Sequence, residues 1–283
     1  MTATVQHLTL LPGNVLADYG AVAPEWARGR TTLLGYAGSL AHGTHIPPEH
    51  ENGTDDVDLF AVIVQPARWY WSVSAYHQHR QHFDTNGQGL DVVGFDVRKF
   101  LAMAAKGNPN VHTWLWSPAT GDRRDAWVGR GGQILLANRE RLLSQAMFGA
   151  ILGYATGQFR KMRSGSTHGY MGAKRKELLL RYGYDIKDAS HCLRLLHMGR
   201  LLGETGNLYV RLPDPELNEV LEVKRGGWTL GRLEVRVEDL FGAFQAARRH
   251  SHLPEAVDAE ALDMICRLVI CADDEPPRGP AFN

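Results

Sequence analysis

The stretch GYAGS at residues 35–39 and the stretch DDVDL at residues 55–59 decide the fold of this chain. Residues 33–37 are apolar and predict a short strand, which ends at Gly38 and Ser39, where a helix capped by Ser39 is expected to begin. Such a turn presents backbone N–H groups and a hydroxyl to an anion. It therefore predicts a cradle for phosphate.

The second stretch opens a strand that carries two carboxylates. Residues 57–65, VDLFAVIVQ, are mostly apolar, so we expect a strand buried on both faces with Asp56 and Asp58 at its start. Residues two apart in a strand share a face. Two carboxylates beside a phosphate can hold Mg²⁺, and two such ions about 3.5–4 Å apart stabilise both the attacking and the leaving oxygen of an in-line displacement. The pattern indicates nucleotidyl transfer with the aspartates as metal ligands.

Either motif alone is more typical of structure than of a site. Gly-Ser turns are common, and aspartates often lie in loops and at helix caps. Here both motifs fall within 25 residues, 35–59, in the order strand, turn, carboxylates, strand. This order favours a functional site.

A third carboxylate has two candidates on one predicted strand. Asp91 and Asp96 each stand between apolar neighbours, and their odd spacing places them on opposite faces of that strand. Asp96 also precedes a predicted helix at residues 97–106, which it would cap. The residues alone leave both candidates open.

The composition limits the classes of protein to which this chain can belong. At 283 residues and 44% hydrophobic content the chain is globular and long enough for two modest domains. No apolar run approaches the ~18 residues of a membrane span and the N-terminus does not resemble a signal peptide, so we expect a cytoplasmic protein without membrane contact. The three cysteines are expected to be reduced, and without a cysteine or histidine motif zinc is not favoured despite 13 histidines.

The predicted organisation is an α+β catalytic domain followed by a mainly helical domain. The catalytic domain spans residues 1–120, a linker follows at 121–132, the helical domain spans 133–272, and the tail at 273–283 is expected to be disordered. Strands are predicted near 31–37, 57–65 and 90–95, with helices near 14–28 and 97–106. In the helical domain, periodicity predicts helices at about 134–157, 172–182, 186–203 and 230–248, and a short strand or hairpin at 207–212.

A basic segment in this neutral chain predicts an anion-binding surface. Residues 160–187 carry eight lysines and arginines against two acidic residues. On the helix predicted from residue 186, Lys187, His191 and Arg194 are spaced i, i+4 and i+7 and share one face, which suits a triphosphate. Lys174, near a predicted helix start, is a further candidate. The alternatives are a solvated helix face and, for His191, a histidine buried between domains. The aromatic residues at 69–71 and 76 suit base stacking, but core packing is favoured for them.

These motifs resemble the DNA polymerase β-type nucleotidyltransferase superfamily, whose core has a Gly-Ser turn, an Asp-x-Asp or Asp-x-Glu pair and a third acidic residue on a later strand. Three later segments resemble its RNA-ligase-associated branch in RNA repair: Lys99-Phe100 through residues 107–110, Tyr170 to Arg175, and Gly183 to Gly199. The resemblance covers about residues 31–212. The loop between Ser39 and Asp56 departs from it, because it is longer and richer in histidine.

The resemblance implies an activity and assigns roles. A small mixed-sheet catalytic domain and the helical domain would bind an NTP, with ATP as the expected donor, and transfer NMP to a hydroxyl with release of pyrophosphate. The third carboxylate becomes Asp91, which would also activate the hydroxyl. The metal would be two Mg²⁺ ions, with Mn²⁺ as an alternative. The expected acceptor is an RNA or tRNA end, with an RNA ligase or other RNA-repair proteins as partners. The implied site residues are Asp56, Asp58 and Asp91 for metal, Gly38 and Ser39 for the β and γ phosphates, and Lys174, Lys187, His191 and Arg194 for the leaving group.

Two rival hypotheses keep the fold. In one, the acceptor is a protein hydroxyl, as in AMPylation, or a small molecule, which the neutral net charge favours slightly. In the other, the chain is a catalytically silent nucleotide-binding module. The intact Asp-x-Asp pair argues against the silent module.

Overall fold

A mixed sheet and its covering helices form the first part of the chain. The computed structural model describes residues 19–20, 23, 25–53, 57–71, 80–84, 90–117, 126–164 and 173–273. Within these residues the elements of the first part are α1 (Glu25–Arg28), β1 (Thr31–Tyr36), α2 (Gly38–Ala41), β2 (Val57–Ile63), α3 (Ala67–Tyr70), β3 (Arg80–Asp84), β4 (Leu90–Asp96), α4 (Val97–Ala105), α5 (Pro109–Trp116), β5 (Ala126–Val128) and α6 (Arg130–Ala137).

The sheet has five strands in the order β3-β4-β2-β1-β5. Strands β2 and β4 are parallel, and the other neighbours are antiparallel. β2 lies at the centre, and its residues 59–63 are all buried, as a strand covered on both faces requires. Helices α4, α5 and α6 pack on one face, and α1 with Tyr19 packs on the other. The α+β class expected from the sequence is confirmed.

The second part of the chain is helical and is organised around one buried helix. After a 3₁₀ turn (Arg139–Leu142) its elements are α7 (Ala146–Ser164), α8 (Ala173–Tyr182), α9 (Ile186–Thr205), α10 (Asp214–Lys224), α11 (Leu230–His250) and α12 (Ala259–Asp273). Most residues of α9 are buried, because α7, α10 and α11 surround it. Asp185 caps α9, accepting bonds from the N–H groups of Lys187 and Asp188 at 3.0 and 3.1 Å. Among the described residues, no helix is both long and apolar enough to cross a membrane.

The structure differs from the predicted linker at 121–132. Residues 126–128 form β5, which pairs with β1 and covers its edge, and α6 begins at Arg130. The start of α6 is tied to β1, because Gly132 N–H donates to Thr32 Oγ1 at 2.8 Å. The sequence around this three-residue strand is rich in glycine and therefore predicted a linker. Pairing with β1 makes residues 126–128 part of the sheet instead. The predicted strand or hairpin at 207–212 is also absent, and these described residues form an irregular loop with Leu208, Val210 and Leu212 buried.

The last helix also differs from its predicted place in the helical domain. α12 packs on α6 and α4, and its Ile265 and Val269 are fully buried in the core beneath the sheet. Burying such a side chain stabilises the fold by about 1.5–3 kcal/mol. Asp273, predicted to begin a disordered tail, ends the helix and its Oδ1 accepts a bond from Gly131 N–H at 3.2 Å. Residues 274–283 of the predicted tail, and residues 14–18 of the first predicted helix, lie outside the described residues.

Candidate active site

The turn after β1 brings the backbone against Asp58. Ala37 N–H donates to the Asp58 carbonyl at 2.7 Å, and Gly38 has φ +55°, a conformation that residues with a Cβ rarely adopt. A Cβ added at Gly38 would collide with the Asp58 carboxylate. The helix begins at Gly38 with Ala37 as its N-cap, so the prediction that Ser39 caps it is wrong. Ser39 instead accepts a backbone bond from Thr44 at 2.9 Å.

Two carboxylates lie side by side next to this turn. Asp58 on β2 and Asp91 on β4 are direct partners in the parallel register, and strands in a sheet are about 4.8 Å apart. Both side chains line a cleft of about 500 Å³, together with Gly38. Asp56, the other predicted ligand, lies outside the described residues. The described carboxylates thus meet at the mouth of the predicted phosphate cradle.

Asp96 lies apart from this pair and has structural partners. Its Oδ1 accepts from Arg98 N–H at 2.9 Å, capping α4, and its Oδ2 accepts from Tyr70 O–H at 2.7 Å. Burial raises the pKa of Asp96 against the lowering effect of these two bonds. Asp91 and Asp96 therefore fall on different faces of β4, as their odd spacing predicted.

The opposite wall of the cleft is cationic. His191 and Arg194 of α9 line it, with His42 from the loop after α2. His42 Nδ1 lies 3.0 Å from the Val210 carbonyl, which can only accept, so this nitrogen carries the proton. Arg194 Nη1 is 3.4 Å from the same nitrogen and finds no lone pair there.

Arg194 is a buried charged side chain in this wall. It is only 4% exposed, and its Nε has no hydrogen-bond partner among the described residues. Burial lowers the pKa of Arg194 to about 10, so the guanidinium remains charged at neutral pH. Burial and the Arg194 charge together hold the pKa of His42 well below its usual value. A buried charge without a protein counter-ion is costly unless an anion binds it.

The other two predicted phosphate ligands occupy different positions. Lys187 is an exposed side chain in the first turn of α9, outside the cleft lining. The side chain of Lys174 in α8 lies outside the described residues. The structure thus brings Gly38, Asp58, Asp91, His191 and Arg194 together in one cleft, and Lys187 is not among the described residues that line it.

Sequence reasoning missed Lys224. This residue ends α10, and its Nζ donates to the Thr44 carbonyl at 2.6 Å, so it spans from the helical part to the loop after α2. Burial, together with the charges of Lys187 and Arg194, lowers the pKa of Lys224 to about 8, and the Asp58 charge opposes this shift. No local pattern marks it, since a lysine near a helix C-terminus is ordinary.

Sequence reasoning also missed an aromatic wall of the cleft. Val93 and Phe95 follow Asp91 at two-residue steps and line the same cleft, with Trp114 and Met103. Trp114 stacks on Phe60 and on Phe95, with ring centroids 4.8 and 5.2 Å apart. The aromatic residues that the sequence singled out are not among the residues lining this cleft. Core packing holds for Tyr70, which packs against the core, but is wrong for Trp69 and Trp71, which are 36% and 81% exposed. Tyr76 lies outside the described residues.

The donor set fits a hard divalent cation. Asp58 and Asp91 supply carboxylate oxygens, which Mg²⁺ and Mn²⁺ prefer, and Gly38 leaves space for the Asp58 carboxylate where any Cβ would fill it. Within the described ranges, no cluster of three or more His, Cys, Asp or Glu side chains could hold a metal ion. The described carboxylates therefore give two ligands of the predicted three.

Comparison with known proteins places this architecture in a class. The family model described as RlaP, RNA repair pathway DNA polymerase beta family, matches residues 27–270. With its Gly-Ser turn and paired aspartates, the chain is a nucleotidyltransferase of the polymerase β type. It belongs to the RNA repair pathway branch of that class.

Other comparisons add little. A nucleotidyltransferase-like protein from Exiguobacterium sibiricum 255-15 is 15% identical, with 77% of this chain and 69% of that chain covered and a TM-score of 0.29. A TM-score this low does not establish a shared fold. No curated protein matches the chain.

Proposed function

We propose that the protein transfers NMP from an NTP, with ATP as the expected donor, to a hydroxyl at an RNA end, in RNA repair or tRNA-end processing. The observation that carries the proposal is the pairing of Asp58 with Asp91 in one register beside the Gly38 turn, facing the buried cation Arg194. Carboxylates that can bind a metal ion thus share the cleft with a positively charged side chain that can bind phosphate. This is the arrangement that phosphoryl transfer requires.

The chain's own residues would divide the work along the cleft. The acceptor hydroxyl oxygen forms a bond to the α-phosphorus, its proton passes to Asp91, and the bond from that phosphorus to the β-phosphate oxygen breaks to release pyrophosphate. Arg194 and His191 would bind the departing phosphates, and Gly38 and Ser39 would orient the β and γ groups. Lys187 and Lys174 remain proposed ligands at the outer end of the triphosphate.

Asp58 and Asp91, with Asp56, would hold two Mg²⁺ ions, or Mn²⁺. When bound, these ions neutralise phosphate charge and lower the pKa of the attacking hydroxyl. We further propose a cytoplasmic location, with an RNA ligase or other RNA-repair proteins as partners, on the strength of the family alone.

The proposal is tested by the identity of the labelled acceptor. Purified protein is incubated with Mg²⁺, each α-labelled NTP and a defined single-stranded RNA or a tRNA, and products are separated on a denaturing gel. We expect the RNA to grow by at least one nucleotide in the presence of one or more NTPs. Label on a protein or a small molecule instead would favour the AMPylation-type alternative, and NTP binding without pyrophosphate release in every arm would favour the silent module.

Lys224 should make triphosphate binding depend on pH. Its pKa is 10.5 in an unfolded chain and about 8 in the folded protein, so between these values the unfolded state binds more protons and the free energy of unfolding rises with pH. In the folded protein the charge of Lys224 is lost as the pH rises through about 8, at the lower end of this range. A bound triphosphate favours the charged form, so binding at about pH 9 should take up close to one proton. Titration calorimetry of a non-hydrolysable ATP analogue, in buffers of different ionisation enthalpy, measures this uptake.

Lys224→Arg is the matched control, because arginine stays charged at that pH. It should bind the analogue with no proton uptake at about pH 9. His42 and His45 lie nearby, but burial lowers the pKa of both, so they stay neutral at this pH and do not mask the effect. Equal uptake by the variant and the natural protein would contradict the assignment.

A further inference from the structure

The cleft has two chemically different halves on either side of the carboxylates. Arg194, with His42 and His191 beside it, makes one half polar and positively charged, whereas Val93, Phe95, Met103 and Trp114 make the other half apolar and aromatic. Asp58 and Asp91 lie between the two halves. The cationic half suits phosphates, but it leaves the aromatic half without an assigned role.

The aromatic half is built as a rigid platform. Phe95 stacks on Trp114, which stacks in turn on Phe60 two residues beyond Asp58 on β2. Trp114 is 5% exposed and fixed in the core beneath the sheet, whereas Phe95 and Met103 keep part of their surface open to the cleft. A planar ligand laid there would find a preformed π surface.

Polar groups surround this platform in a way that suits a nucleotide better than an aliphatic group. Asn108 and Asn110 line the same half of the cleft. Asn108 Oδ1 caps α5, accepting from Asn110 N–H at 3.0 Å, so its Nδ2 is the end that can donate to a base edge. Lys99 lines the cleft too, with its Nζ over the Phe95 ring at 5.7 Å from the ring centre, so a base that stacks on Phe95 would move this ammonium aside, toward a backbone phosphate.

In-line displacement decides which substrate occupies this half. The attacking oxygen and the leaving oxygen must lie on opposite sides of the phosphorus, roughly in line. If the leaving pyrophosphate is bound by the cationic half, the attacking hydroxyl arrives from the side of Asp91 that faces Phe95. Val93 and Phe95 lie about 7 and 13 Å along β4 from Asp91, on the same face of the strand.

We propose that the surface formed by Phe95 and Met103, backed by Trp114, is the subsite that stacks the terminal base of the acceptor strand. The inference rests on the proposed transfer to an RNA end and specifies how that end is held. Asn108 and Asn110 contact the edge of the base, and Lys99 contacts the phosphate that precedes it. Base stacking on aromatic rings is tolerant of sequence, so this subsite requires a single-stranded terminus rather than a particular base.

The test is a double-mutant cycle between protein and RNA, measured by binding without NTP. Full-length protein is titrated into a fluorescent single-stranded RNA that ends in an intact or an abasic 3′ nucleotide, and anisotropy gives Kd. Phe95→Leu keeps an apolar side chain but removes the ring. We expect it to raise Kd for the intact RNA about tenfold, with no further loss for the abasic RNA.

Phe100→Leu is the matched control. Phe100 is fully buried and its ring lies 6.0 Å from that of Trp114, but it does not line the cleft, so this variant should bind RNA like the natural protein. Thermal unfolding of both variants separates a loss of fold from a loss of the subsite.

Three results would overturn the subsite. The first is an equal effect of Phe95→Leu on intact and abasic RNA, and the second is no measurable RNA binding at all. The third is a rise in KM for ATP with unchanged RNA binding, which would make the surface the donor's base site. If the coupling to the abasic RNA is found but no NTP is consumed, the subsite stands and the proposed transfer activity fails.

Discussion

Asp58→Asn and Asp91→Asn should each lower the rate of nucleotide transfer by about a thousandfold or more. Each change removes a negative oxygen donor from the paired carboxylates beside the Gly38 turn, and removing one preorganised electrostatic group from such a site costs about 10²–10³ in rate. Loss of a metal ligand adds to that. Single-turnover assays with labelled ATP and RNA measure the effect directly.

Thermal unfolding should show that these variants lose function rather than fold. Two adjacent carboxylates repel each other when no cation separates them, so replacing one with an amide should leave Tm unchanged or raise it in a chelator. Mg²⁺ should raise the Tm of the natural protein, because an ion that binds only the folded state stabilises it, and the rise should shrink in both variants.

Asp96→Ala should give the opposite pattern. It removes the N-cap of α4 and the acceptor for Tyr70 O–H, which should cost about 1–3 kcal/mol of unfolding free energy, while turnover per folded molecule stays close to natural. If Asp96→Ala instead abolished turnover and Asp91→Asn remained active, the third carboxylate would be Asp96.

Gly38→Ala should be the second most damaging change, with at least a hundredfold loss of transfer. Its φ of +55° strains any residue with a Cβ, and the new methyl would collide with the carboxylate of Asp58. That carboxylate would have to move away from the site, and displacements of about 1 Å cost such enzymes about 10² in rate. Steady-state transfer and Mg²⁺-dependent Tm together report the loss of activity and of the metal site.

Gly43→Ala separates backbone strain from the collision. Gly43 lies five residues on in the same region with φ +67°, but its Cβ would meet Arg211, whose Nε would be 3.2 Å away on an exposed, flexible side chain. Both alanine variants should lose about 1 kcal/mol of stability from strain. Only Gly38→Ala should lose most of its activity, and equal losses in the two variants would mean that backbone strain alone explains the defect.

The central strands were predictable because their signal is local. β1, β2 and β4 are runs of apolar residues that match a buried strand, and α9 has caps and periodicity of its own. The edge strands β3 and β5 were not predicted, since a short strand is defined by the partner that it covers. The docking of α12 under the sheet joins residues more than 120 apart, which no local pattern encodes.

The cationic wall shows the limit of reasoning from a helix face. Lys187, His191 and Arg194 share one face of α9, but seven residues correspond to about 10 Å of helix. Lys187 is exposed near the start of the helix and does not line the cleft, whereas Arg194, two turns on, is buried and lines it. Lys224 and Phe95 come from other elements, and only the folded chain places them beside the carboxylates.

The docking of α12 affects how the enzyme folds while it is synthesised on the ribosome. All strands of the sheet leave the exit tunnel before α7, but Ile265 and Val269, which fill the core under them, follow only after the helical part has been translated. At typical elongation rates this delay is on the order of ten seconds. During it, the nascent sheet exposes an apolar face that chaperones can hold. Truncated messenger RNAs that end before the codon for residue 259 should yield chains that contain the aspartates but cannot complete the core under the sheet.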